Sequence, residues 1–300
     1  MIRSELIAVL IAVSDGHPMV LTLDGGTRLP SGPLESRQRS LQTGMRRWVE
    51  RQTGHALGHI EQLYTFADAP HDDHHDPERT IMISYLALTR IGAQSEGWRD
   101  WYRYFPWEDQ TAPEGRGFVE RIGARLHDWA RHGPAMQRDQ RLTRIAITFG
   151  LDGATWDDEL ALQRYELLWE AGLVPEAARD TPVPQDTSFV PGVPMTGDHR
   201  RILATGMARL RAKIRYRPVI FELMPETFTL LALQKTVEAV AGRPMHKQNF
   251  RRLIAQQNLV EETAAFATDT PGRPARLYRF RRDVIGARRV AGSTLPLARP

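Results

Sequence analysis

The sequence contains no cysteine. A disulfide framework and thiolate chemistry are therefore excluded, and the composition is compatible with a reducing cytoplasm. No apolar run approaches the roughly 18 residues that a membrane-spanning helix requires, so no membrane partner is expected. No glycine-rich phosphate loop and no G-x-S-x-G elbow are present, and the enzyme classes built on them gain no support. The first residues, "MIRSELIAVLIAVSDG", have the outline of a leader peptide. Glu5 interrupts that outline, the apolar run is short and β-branched, and Ser14-Asp15-Gly16 reads as a turn, so a first core strand is the better reading. Acidic charge is scarce in the last third. Residues 199–300 carry 20 Lys/Arg against 7 Asp/Glu, which leaves 20 basic and 29 acidic groups in residues 1–198. An acidic body joined to a basic end suits a regulatory domain fused to a polyanion-binding domain.

What is present suits a core-forming protein of two domains, or one with a large insertion: 300 residues, 41% of them hydrophobic. Residues 5–13 and 18–23 read as a hairpin around Asp15-Gly16. "GGTRLPSGP" is a loop, and from Ser40 the residues Leu41, Met45, Trp48 and Val49 recur at helical spacing up to Gly54. "IEQLYTF" and "TIMISYLAL" are strands, and the mixture indicates an α/β or α+β domain over residues 1–110. "GWRDWYRYFPWEDQ" reads as a packed connection anchored by its Trp and Tyr residues. Residues 111–195 read as a mixed extension. It has an amphipathic helix through Phe118, Ile122, Leu126 and Trp129, a strand at "RIAITFG" (Arg144 to Gly150), a helix ending at Gly172, and a Pro-rich linker at 179–194. A linker helix is expected over 196–218, and residues 286–300 have too little to bury to be ordered.

Residues 219–285 carry a sharper signal. Thr229 is placed to cap a helix bearing Leu230, Leu233, Val237 and Val240, which Gly242 ends. A second helix from about His246 to Gln257 buries Phe250, Leu253 and Ile254. It leaves Lys247, Gln248, Arg251 and Arg252 free, the side-chain types that read phosphates and base edges. "LVEET" and "ARLYRFRR" then form a hairpin whose tip and second strand bring Arg273 and Arg276. Helix, turn, basic helix and β-hairpin make a winged helix-turn-helix, and Arg243 in its turn joins the candidate DNA-binding set.

The segments "DHRRILATGMARLRAKIRYRPVIFELMPETFTLLALQ", "GRPMHKQNFRR" and "GRPARLYRF" resemble the linker helix and winged helix of Nudix-related transcriptional regulators of NAD metabolism, the NrtR-like family. "EQLYTFADAP" is similar to that family's Nudix-like domain. "RRWVERQTG", "WRDWYRYFPWED" and "RYELLWEAGLV" are similar to its alphaproteobacterial NAD-biosynthesis branch. The resemblance runs from about Leu6 to Phe280. It implies an α+β chain in which a Nudix-like α/β/α sandwich precedes a winged helix, usually as a homodimer. It also implies a cytoplasmic repressor of NAD synthesis or salvage genes, with ADP-ribose or ATP as effector and no required cofactor.

The helix in "GMRRWVERQTG" has the outline of a Nudix box without its acids. Anchored on Gly54, the pattern's metal-binding glutamates fall on Trp48, Arg51 and Gln52, and the upstream one on Arg39. Glutamates there hold the divalent metal that activates water, so catalysis by that route is not expected. Arg39, Arg46, Arg47 and Arg51 remain as cations able to meet a diphosphate directly. Gln62 and Tyr64 are candidates to hydrogen-bond and stack on an adenine, and Phe66 is equally suited to core packing. "HDDHHDPE" (His71 to Glu78) offers metal-ligand types without structural-zinc spacing and reads as a solvated loop. One alternative is an active pyrophosphohydrolase with metal ligands relocated to Asp68, Asp72 or Asp73. Another is an interaction protein whose basic third binds a partner protein.

Overall fold

The computed structural model describes residues 2–34, 40–54, 57–66, 79–92, 96–133, 135–179, 192–267 and 274–281. Its centre is β1 (Ile2–Ser14). Leu6, Ala8, Leu10 and Ala12 project to one face and Ile7, Val9 and Ile11 to the other, all buried. Such a two-sided apolar strand belongs in the middle of a covered sheet. Asp15 and Gly16, both at positive φ (52° and 79°), turn the chain into β2 (His17–Leu21), as two-residue hairpins require. The short β3 (Ser31–Pro33) pairs with the start of β1.

Helix α1 (Leu41–Thr53) is capped by Ser40, whose side chain accepts from the Thr43 amide at 3.2 Å. It ends where Gly54 enters the left-handed region. Met45 and Val49 pack it against the Leu6–Leu10 face. β4 (Ile60–Phe66) lies at one edge of the sheet. β5 (Arg79–Leu88) runs parallel to β1, and β6 (Trp98–Asp100) forms the other edge, giving the order β4-β5-β1-β2-β6. The aromatic connection behaves as the sequence indicates, with Trp98, Trp101, Tyr104, Phe105 and Trp107 buried.

Three helices follow: α2 (Pro113–His132), α3 (Ala135–Phe149) and α4 (Ala161–Glu170). Here the sequence expectation is corrected. Arg144 to Phe149 is the last part of α3, not a strand. Its β-branched run Ile145-Ala146-Ile147-Thr148 alternates locally, but only Ile145, Thr148 and Phe149 are buried, a helical i, i+3, i+4 face. The extension does not form a core of its own. Ile122, Ile145 and Leu168 join one apolar cluster with Val9 of the sheet and Val237 of the C-terminal unit. Most of the Pro-rich linker and the 286–300 tail fall outside the described residues.

Helix α5 (His199–Tyr216) crosses the second face of the sheet, where Gly206 lies so close to Val9 that a Cβ would stand 2.7 Å from its Cγ1. The C-terminal unit contains β7 (Thr227–Phe228), α6 (Leu230–Ala241), α7 (Lys247–Gln257), β8 (Val260–Ala267) and β9 (Ala275–Phe280). Its three strands are ordered β7-β9-β8. Phe280 stacks on Phe221 of the preceding turn at 4.2 Å between ring centroids. No helix among the described residues is long and apolar enough to cross a membrane.

Candidate nucleic-acid interface and nucleotide cleft

The geometry of the C-terminal unit is set by its turn. Thr229 caps α6, accepting from the Ala232 amide at 3.1 Å, and Gly242 ends the helix at φ 71°. The Glu238 carboxylate accepts from the Met245 amide at 2.7 Å, and Gln234 donates to the Met245 carbonyl at 3.0 Å. These bonds fix where α7 starts relative to α6. Phe250 and Ile254 then anchor α7. Lys247, Gln248, Asn249, Arg251 and Arg252 are exposed in its first two turns, and Asn249 accepts from Arg252 at 3.5 Å.

The remaining sequence-chosen cations are placed differently. Arg243 is turned toward the body, its Nε 3.7 Å from the buried carboxylate of Asp158, so it holds the α6–α7 turn instead of joining the exposed face of α7. Arg276 is paired with Glu262 across the hairpin and lies over the Phe266 ring. Arg273 is outside the described residues. Part of the basic surplus of the last third is thus paired with carboxylates. Arg200 pairs with Glu176, Arg201 with Glu166, Arg211 with Glu108, Lys213 with Glu61, Arg215 with Asp158, and Arg279 with Glu261. Net charge counted along the chain could not reveal this, because the partners lie far away in sequence.

The most buried of these groups form a hub. Glu108 accepts from Arg164 at 2.5 and 2.9 Å and from Arg211 at 2.5 Å, with all three side chains fully buried. Burial alone would raise the Glu108 pKa, but Arg164 and Arg211 outweigh it and hold the carboxyl below its ordinary value. Tyr102, whose hydroxyl donates to the Ala239 carbonyl at 2.6 Å, is pushed up to about 12 by burial. Burial, the larger cause, and Lys213, two residues beyond Arg211 on α5, lower the pKa of His59.

In the N-terminal domain a cleft of about 910 Å³ opens between the end of α1, the Asp24–Gly26 turn and the β6 edge. Arg51 and Gln52 of α1 line it, facing Asp24, Glu96 and Arg99. The sequence does not mark Arg99; its place two residues after Gly97 in an aromatic segment gives no sign that it would line the same cleft as Arg51. Trp48, one turn earlier on α1, packs its indole on Gly32 of β3, where a Cβ would collide with the ring. Arg46 donates to the carbonyls of Leu57 and Gly58 and pins the loop after α1.

Of the ligand residues expected from sequence, the described ones, Arg47, Arg51, Gln62 and Tyr64, do not converge. Arg47 is exposed on α1 one turn before Arg51. Gln62 and Tyr64 are exposed on β4, at the sheet edge opposite β6, where the pairing register breaks between Gln62 and Thr65. Arg39, the His71–Glu78 cluster and the relocated-ligand candidates Asp68, Asp72 and Asp73 lie outside the described residues. Among the described residues no group of three or more His, Asp or Glu is arranged to hold a metal ion.

Comparison with known proteins follows the same division. Residues 220–280 match the family model of the NrtR DNA-binding winged helix domain. The ADPR responsive transcriptional repressor NtrR of Acinetobacter baylyi is 41% identical over 83 residues, 28% of this chain and 33% of that protein, so the match spans a third of the relative's length. The crystal structure of Shewanella oneidensis NrtR complexed with a 27mer DNA superposes with a TM-score of 0.53 at 20% identity, covering 97% of each chain. NrtR from the same organism without DNA gives 0.52 at 19% identity, over 94% of this chain and 95% of that one. The chain therefore has the fold of the NrtR-like Nudix regulators, and residues 220–280 are a winged helix domain of the NrtR type.

Proposed function

We propose that the protein is a transcriptional repressor that binds operator DNA through α7 and is switched by an adenine nucleotide in its Nudix-like domain. The observation that carries the reading is α7 itself. Lys247, Gln248, Arg251 and Arg252 stand exposed on a helix whose start is fixed by Glu238 and Gln234, in a domain of the NrtR type. Such a helix enters the major groove with cations for phosphates or guanine and amides for adenine. The Shewanella protein's complex with DNA supports the same use of the fold. Arg243 serves the turn, and Arg276 acts as a paired wing residue.

ADP-ribose is the first effector to test, because the Acinetobacter relative is named as responsive to it; ATP is the second. Arg51 and Arg99 would meet the diphosphate in the cleft, since guanidinium groups hold such oxygens bidentately. The Nudix-box positions of α1 do not offer a divalent metal its usual carboxylates. Trp48 is packed on Gly32, Arg51 adds a cation, and Gln52 is a weak neutral ligand. Binding without hydrolysis follows. In this reading the protein is a cytoplasmic homodimer acting on a near-palindromic operator of NAD synthesis or salvage genes, with half-sites about one helical turn apart.

The test has two arms. Specific binding to DNA upstream of such genes should weaken steeply with salt, because phosphate contacts release counterions. Incubation with ADP-ribose and magnesium should yield no AMP. Salt-independent DNA binding, or AMP release lost on substituting a carboxylate, would replace the reading with one of its alternatives.

A further inference from the structure

The cleft and the winged helix are joined by a continuous set of hydrogen bonds through α5. On the cleft side, the turn Asp24–Gly26 has Asp24, Gly25 and Gly26 all at positive φ. It is not held by the sheet alone. The Tyr104 hydroxyl donates to the Gly26 carbonyl at 2.7 Å, the Thr196 amide to the Thr27 carbonyl at 2.9 Å, and the Leu29 amide to His199 Nδ1 at 3.2 Å. Tyr104 is fully buried, and its own carbonyl accepts from Arg200 of α5 at 2.6 Å. The wall of the cleft is therefore bonded to the first turn of α5.

At the other end of the same helix, Arg211 reaches the winged helix. Its Nε donates to the Val240 carbonyl at 2.9 Å, and its Nη1 binds Glu108. Carbonyls in the last turn of a helix have no partner within it. Here Arg211 takes Val240, Tyr102 takes Ala239, and the Gln110 amide donates to the Gly242 carbonyl at 2.7 Å. Gly242 itself approaches the Glu108 carbonyl too closely for any Cβ. The end of α6 is thus seated on the body, and α7 follows through a turn made rigid by Glu238.

We propose that Tyr104 and Arg211 are positioning residues that convert occupancy of the cleft into a change in the setting of α6 and α7, with α5 as the rigid rod between them. This rests on the nucleotide-switched repressor reading and gives it a physical route. A ligand drawing on Arg51 and Arg99 meets the Asp24–Gly26 turn; Arg99 already lies 3.9 Å from where a Gly26 Cβ would stand. Movement of that turn is passed to Tyr104, Thr196 and His199, hence to the start of α5. A helix of close-packed core residues transmits displacement along its length. The exposed face of α7 is reoriented without either site touching the other.

The test compares the wild-type protein with Tyr104→Phe and Arg211→Lys, using operator DNA and ADP-ribose or ATP as probes. Three quantities are read: nucleotide affinity, DNA affinity without nucleotide, and the ratio of DNA dissociation constants with and without it. Tyr104→Phe removes one hydroxyl and keeps the ring in the core. Arg211→Lys keeps the charge beside Glu108 and removes the Nε bond to Val240. Both first quantities should stay within about threefold of wild type, while the ratio, of order 5–150 for allosteric coupling, falls to within about twofold of one. A role in stability alone would lower the melting temperature and leave the ratio intact, which overturns the proposal. Should Arg211→Lys not fold, Tyr104→Phe carries the comparison alone. A wild-type protein that binds no DNA, or shows no nucleotide response, contradicts the repressor reading itself. A responsive wild type with equally responsive variants removes only the route through Tyr104 and Arg211.

Discussion

Replacing Glu108 by Gln probes the hub that joins the extension, α5 and the winged helix. The substitution preserves shape and removes the negative charge that pairs directly with two buried guanidinium groups, Arg164 and Arg211. It also turns an amide donor toward donors, in place of a carboxylate that accepts at 2.5 and 2.9 Å. Breaking a buried ion pair by removing one partner costs about 3–5 kcal/mol, because the remaining charge stays uncompensated. At roughly 2–4 °C per kcal/mol for a domain of 150–250 residues, the melting temperature should fall by on the order of 10 °C. Replacing all three side chains by Met should recover only part of that loss. Arg164 also serves the carbonyls of Thr148 and Asp157, and Arg211 those of Val240 and Asp158, and each of these would lose a donor. The pH dependence has a definite sign. The Glu108 carboxyl is held below its ordinary value of 4.5 in the fold. Its contribution is therefore present above that value and lost as the pH falls through the lower folded one. Urea titrations of the wild type and Glu108→Gln should differ at pH 7 and converge on acidification. A difference below about 1 kcal/mol at pH 7 would refute the reasoning, since it would mean that the arginines find other compensation.

Other outcomes follow from single sites. Arg251→Ala should weaken operator binding by about 1–3 kcal/mol if the side chain reads a base; if it meets a phosphate, the salt slope should drop by about one. Titrations at several salt concentrations separate the two. Gly242→Ala combines a positive φ with a Cβ that collides with the Glu108 carbonyl. Overpacking of this kind costs typically 1–3 kcal/mol, and chemical denaturation should show it together with weakened DNA binding. Arg51→Glu should lower ADP-ribose affinity by about 1.5–3 kcal/mol, the scale of a hydrogen bond to a charged group, as calorimetry would record. Restored affinity on adding magnesium to that variant would show that the helix still accepts a metal.

The order and type of most elements were legible because their signals are local. The two-sided apolar run of β1, the Asp15-Gly16 turn, the Thr229 cap and the Gly242 stop each depend on a few adjacent residues. The strand expected at Arg144 to Gly150 failed for the same reason. Six residues alternate as well as they fit a helical face, and only packing of Ile145 and Phe149 decides between them. The basic end misled more subtly. Arg243 looks like DNA-binding charge until Asp158 arrives from more than fifty positions away. The cleft shows the opposite case. Arg51 was visible through its place in a Nudix-like helix, but Arg99 comes to the same cleft only when β6 pairs with β2. Gln62 and Tyr64 alternate on β4 as expected, yet the strand order puts them at the far edge.

The most direct test of the whole account is a fluorescence-anisotropy titration of the full-length protein. The labelled DNA would come from upstream of NAD-biosynthesis genes, with and without ADP-ribose or ATP. Tight, salt-sensitive binding that one of these nucleotides shifts by about 5-fold or more is the predicted result. Specific binding that no nucleotide alters, or no specific binding at any salt concentration, would contradict the central claim.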